Sequence, residues 1–231
     1  MLHPNDFFND NKMLRVSFKK IIFFIVVLFC GVIFSTILNA SITTNSGISQ
    51  QWAVLDGFRS AKFGFSERSV YKAIKKDFKI SNKNISRVVH PTQKTVTLGI
   101  NVKGLITDSG PSKVFYVFGY KSKKLIHISI IWGSSVEEKP NAEVVISTAN
   151  QLRIYFSQKK YQKNGIAFNR QLAKETILVF QGKDERGRMA RVLLNKSIDR
   201  GDEADLNIDL TLSYIEKPGN LDIFEIKDGD F

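Results

Sequence analysis

The sequence predicts an α+β protein: an N-terminal transmembrane helix followed by tandem helix-plus-three-strand units with antiparallel sheet. Three observations predict it. An uncharged apolar run occupies Ile21 to Leu38. Two later segments repeat apolar residues at helical spacing, and each is followed by β-branched, aromatic runs separated by turn residues. The implied division is a tail over 1–20, a membrane span over 21–38, a linker over 39–56, a first α+β unit over 57–135 and a second over 136–231.

Charge sets the frame for the first element. The chain has 231 residues, 34 basic against 22 acidic, for a formal net charge of +12. Ile21 to Leu38 as a helix spans roughly 27 Å, close to the hydrocarbon thickness of a bilayer. Lys12, Arg15, Lys19 and Lys20 precede it, and the first basic residue after it is Arg59. The positive-inside rule then leaves the N-terminus in the cytoplasm and carries the rest across. The expected location is the inner membrane, with one span and the C-terminal domain in the periplasm. The apolar run is longer than a cleavable signal core, and Leu38-Asn39-Ala40 lacks the small-residue pair of a cleavage site, so a retained anchor is expected over a cleaved, secreted form. Cys30 is the sole cysteine and lies inside the run. The exported part therefore forms no internal disulfide and depends on burial and backbone pairing.

Asn39 to Leu55 is uncharged and rich in Ser, Thr, Asn, Gln and Gly, a tether composition. The first helix opens with Ser66 as N-cap and Glu67 in its first turn. Val70, Ala73, Ile74 and Phe78 form its apolar face, with Lys72, Lys75, Lys76 and Lys79 roughly opposite. Ser81 to Pro91 reads as a polar connection. Lys94 to Val102 alternates polar and apolar residues, and Lys113 to Tyr120 with Leu125 to Trp132 reads as a hairpin. In the second arm Ile126, Ile128, Ile130 and Trp132 fall on one face, and Leu125, His127, Ser129 and Ile131 on the other.

The order then recurs. Pro140-Asn141 opens a helix whose apolar face carries Val144, Val145, Thr148, Ala149, Leu152, Tyr155 and Phe156, with Gly165 as its stop. Thr176 to Phe180 and Met189 to Asn195 form a second hairpin around Asp184 to Gly187. Leu206 to Ile215 supplies a third strand, and Leu221 to Ile226 a short further one.

The stretch Phe63-Gly64-Phe65-Ser66-Glu67-Arg68-Ser69-Val70 with Ile74, and then strands joined at Lys121 to Leu125, resembles the small α+β modules of the outer-membrane assembly lipoprotein BamE (SmpA) and of β-lactamase-inhibitor proteins. The likeness covers about residues 57–132. It differs from that pattern in having no lipobox cysteine and a longer connection over 81–112. What the resemblance implies is a non-enzymatic envelope scaffold or partner-binding protein. In organisation alone, a short tail, one span and an exported α+β domain, the chain is similar to VirB8-type subunits of type IV secretion systems.

Chemistry is sparse. His3, His90 and His127 are the only histidines, and none sits in a spacing that suggests a Ser–His–acid triad. Two exported histidines without cysteine make no structural zinc site. Asp199, Asp202, Glu203, Asp205 and Asp209 miss the alternate-position pattern of a calcium loop and read as a solvated acidic loop. No glycine-rich phosphate cradle occurs. No catalytic, cofactor or metal residue is therefore nominated, and neither cofactor nor nucleic acid is expected. The lysine row Lys72, Lys75, Lys76 and Lys79 is the candidate surface for anionic lipid or an acidic partner. The expected function is a non-enzymatic, membrane-anchored protein-interaction component of the bacterial cell envelope that contacts other envelope proteins. The alternatives are a periplasmic hydrolase or ligand-binding domain using dispersed acids with His90 or His127, and a VirB8-like subunit.

Overall fold

The computed structural model describes residues 50–198 and 206–226. Its first elements, β1 (Gly57–Phe58) and β2 (Ala61–Lys62), form a two-residue-per-arm hairpin. Then come α1 (Glu67–Phe78), β3 (Ser86–Val89), β4 (Val96–Lys103), β5 (Pro111–Phe118) and β6 (Leu125–Gly133). The second half follows with α2 (Ala142–Ser157), β7 (Ala167–Ala173), β8 (Thr176–Lys183), β9 (Met189–Ile198) and β10 (Leu206–Ile215).

The local signals of both helices operate as sequence chemistry requires. Ser66 accepts the Ser69 N–H at 3.3 Å, and α1 ends where Lys79 turns left-handed at φ 57°. Asn141 caps α2 by accepting from Glu143 N at 2.9 Å and Val144 N at 3.3 Å. Val70, Ala73 and Ile74 of α1 and Val145, Ala149, Leu152 and Phe156 of α2 enter one core. The second helix stops at Ser157, well before Gly165, and Tyr155 stays exposed rather than joining its apolar face.

The expected pair of helix-plus-three-strand units is overturned. The protein is dominated by one eight-stranded antiparallel sheet in the order β3-β4-β5-β6-β10-β9-β8-β7, with two helices among the described residues. Each helix precedes a four-strand meander, not three strands, and the meanders merge where β6 pairs with β10. In that seam Trp132 lies opposite Leu210, Ile130 opposite Leu212 and Ile128 opposite Tyr214. The physical reason is edge pairing. A meander that ended at β6 would present a long apolar strand with unpaired backbone, and β10 satisfies it. Among the described residues no helix is long and apolar enough to cross a membrane. The span expected at Ile21 to Leu38 lies outside the described residues.

The two strands of this sheet that were not anticipated, β3 and β7, are its outer edges. All four residues of β3 are exposed, as are most of β7, so neither carries the alternation that marks a half-buried strand. Leu221 to Ile226 is not a strand. It runs irregularly past the β5–β6 turn, where the Asp222 carboxylate accepts from Lys121 N and Ser122 N, each at 2.8 Å. At the other end Trp52 bridges to Lys160, and Ala53 and Leu55 are buried, so packing begins within the segment read as tether.

Candidate functional site: the open face of the sheet

Alternation along the strands sorts the sheet into two faces. Leu98, Ile100, Val114, Tyr116, Ile128, Ile130, Trp132, Val192, Leu210 and Leu212 pack with the helices in one core cluster. The intervening residues point the other way, where no described helix joins them. Cross-strand pairing aligns Phe115, Ser129, Ser213 and Arg191 in one row over β5, β6, β10 and β9. Val117, His127, Ile215 and Met189 form the next row, and Lys113, Ile131, Thr211 and Leu193 the one on the other side. A slip in register between Val117 and Phe118 turns Leu125 into the core. The regular alternation expected for β6 therefore holds only from His127 onward.

The centre of this face contains unpaired polar atoms. Burial, reinforced by the Arg191 charge, lowers the His127 imidazole to a pKa of about 4, so it is neutral at pH 7. Its Nε2 and the Arg191 Nε are both buried without a hydrogen-bond partner. The aligned rows hold no carboxylate, and Asp209, beyond them opposite Gly133, is already engaged by Ser135, through its N–H and its hydroxyl, each at 2.8 Å. Lys113 extends to the Ser135 carbonyl at 2.7 Å. The face thus combines apolar surface, buried at Met189 and Ile215 and half-buried at Phe115, Val117, Ile131 and Leu193, with positive charge that no described acid of the face neutralises.

That imbalance is general. Only two ion pairs occur among the described residues, Lys62–Asp56 at 3.0 Å and Arg87–Glu67 at 2.8 Å. Other acids are committed to backbone N–H groups. Asp184, which is 2% exposed, accepts from Leu55, Arg186 and Arg188, and Asp77 accepts from Ser60. Among the described residues, most cations therefore have no acid partner and can meet external anions.

The residues nominated from sequence lie elsewhere. Lys72, Lys75, Lys76 and Lys79 are exposed on α1, on the helical side of the sheet, and Lys72 and Lys75 border a shallow depression with Glu67, Arg68, Tyr71 and Asn82. None of the four makes an ion pair with a described residue. His90 is exposed and accepts from Thr92 N and Gln93 N through Nδ1, so it closes its own loop. The acids at 199–205 lie outside the described residues, and no group of three or more metal-ligating side chains occurs among those described. His127, assigned from sequence only to the second face of its strand, is half-buried and feels the charge of Arg191. The signal that could have found this pair is polar residues at mid-strand, His127 between Ile126 and Ile128 and Arg191 between Ala190 and Val192.

Comparison with protein-family models, curated proteins and solved structures finds no match to this chain.

Proposed function

We propose that this chain is a non-enzymatic, membrane-anchored envelope protein that docks another protein on the open face of its sheet. The observation that carries the reading is the centre of that face. Arg191 lies there, half-buried and without an ion-pair partner among the described residues, near the neutral His127 and amid the apolar side chains of Phe115, Val117, Ile131 and Leu193. Arg191 makes no ion pair with a described acid, so a carboxylate placed against its guanidinium adds a charge-assisted hydrogen bond. An acidic side chain ringed by apolar ones is the complementary chemistry. The uncharged run Ile21 to Leu38 and its preceding lysines support an inner-membrane anchor with the sheet in the periplasm. The likeness of residues 57–132 to BamE-type and β-lactamase-inhibitor modules, and the VirB8-like organisation, agree with a partner-binding role. A hydrolase draws no comparable support, since His90 closes a loop and His127 faces a cation.

A photo-crosslinking amino acid placed at Phe115 or Leu193 in the native cell tests this reading. The expected result is a discrete protein adduct from both positions and none from Lys76. Adducts from Lys76 alone would overturn it.

The lysine row supports a second contact. Lys72, Lys75, Lys76 and Lys79 are exposed, have no carboxylate partner among the described residues and suit anionic lipid headgroups, at about 1 kcal/mol per lysine near a charged membrane. Vesicle flotation with and without anionic lipid reads this out. Replacing all four by glutamate is expected to abolish the anionic-lipid dependence, and undiminished binding by that variant would contradict it.

A further inference from the structure

The helical side of the sheet contains a gap that its own dimensions create. Eight strands about 4.8 Å apart make a sheet some 34 Å wide, whereas two helices of about 10 Å diameter cover only part of it. The Glu67–Arg87 pair ties α1 over the β3 side, and α2 packs on β10, β9 and β8. The space between them lies over the central seam. It is a cavity of about 380 Å³ whose floor is Ile130 and Trp132 of β6 with Leu212 and Tyr214 of β10. Leu152 and Phe156 of α2 form one wall, and Phe58, Leu105 and Ile106 form the other. That size and lining fall within the range of small-molecule sites.

Among the described residues one cation stands at this cavity. Arg59, held at φ 52°, places its guanidinium 4.6 Å from the Phe78 ring and 5.6 Å from the Phe58 ring, and donates to the Asp77 carbonyl at 3.4 Å. It makes no ion pair with a described acid. The neighbouring Asp77 carboxylate is engaged by the Ser60 N–H at 2.9 Å. Its negative charge nevertheless opposes a dianion near Arg59 more than a monoanion. Gln151 and Tyr155 supply the remaining polar groups of the rim.

We infer that this cavity binds a single-chain, fatty-acid-type carboxylate, its chain over Trp132 and its head on Arg59. The aromatic and aliphatic lining selects an apolar body, and the lone arginine selects a monoanionic head. The site lies on the opposite side of the sheet from the docking face, so either reading can fail without the other.

Fluorescence of the full-length chain carrying Trp52→Phe, in nanodiscs of neutral lipid, isolates Trp132 as reporter because the protein has two tryptophans. The probes are 11-bromoundecanoate, a quencher, and its alcohol, 11-bromoundecanol. The acid is expected to quench Trp132 saturably and to bind about ten-fold more tightly than the alcohol, a difference that Arg59→Gln removes. The double variant Ile106→Phe, Gln151→Phe, which fills the cavity from positions on its rim, is expected to lose saturable quenching while keeping the thermal transition of its parent. If that variant does not fold, Arg59→Gln still decides through the acid-to-alcohol ratio. Absent saturation in the parent, quenching unaltered by filling, or equal affinity for acid and alcohol would each overturn the inference.

Discussion

His127 turns a packing choice into pH dependence. Its folded pKa of about 4 lies below the ordinary value near 6.5, so between those limits the unfolded chain binds more protons. Stability is therefore full above about pH 6.5 and falls as pH drops toward 4, by an amount on the order of 3 kcal/mol. Urea unfolding at pH 4.5 and pH 7 checks this, and His127→Asn should flatten the difference. Asp184 carries a different burden, since its carboxylate joins Leu55 at the domain entry to the β8–β9 turn. Asp184→Ala strands three N–H donors and should destabilise by about 2–4 kcal/mol in the same assay. Neither role was legible beforehand. The turn Asp184 to Gly187 could be read from its residue types, but the partner Leu55 is 129 residues away in the chain. The surroundings of His127 were not legible because strand alternation does not reveal an arginine two strands distant.

The elements whose residues were half-buried could be read directly. Ser66, Glu67 and the Val70–Ala73–Ile74 face mark α1, and β5 alternates buried and half-buried residues along its whole length. Strands covered on neither side were silent, which is why Ser86–Val89 and Ala167–Ala173 passed as connection. The short strand expected at Leu221 to Ile226 failed for the opposite reason. Its apolar residues pack as an irregular strap, as in the edge-on contact of Phe224 with Tyr120 at 5.4 Å. At the end of β6, Gly133 has φ 106°, and a Cβ there would collide with the Ile208 carbonyl oxygen. Gly133→Ala should lower stability by about 2–3 kcal/mol, measured by thermal unfolding, because it forces apart the β6–β10 seam.

Two four-strand meanders joined edge to edge through β6 and β10 form a single core from Ala53 to Leu212. Unfolding should therefore be one cooperative transition, with Trp132 fluorescence and far-ultraviolet circular dichroism coincident, and two separated transitions would contradict the shared sheet. Local pattern could not disclose that sharing, because the same strands would serve two separate sheets equally well. The joined sheet also makes the docking face, since the Phe115–Ser129–Ser213–Arg191 row draws on both meanders. Thr211, half-buried at the seam of that face, reports its occupancy most directly. In a Cys30→Ser background, the reaction of Thr211→Cys with N-ethylmaleimide should be slow in intact cells and fast in the purified protein. Equal rates in the two settings would contradict a docked partner.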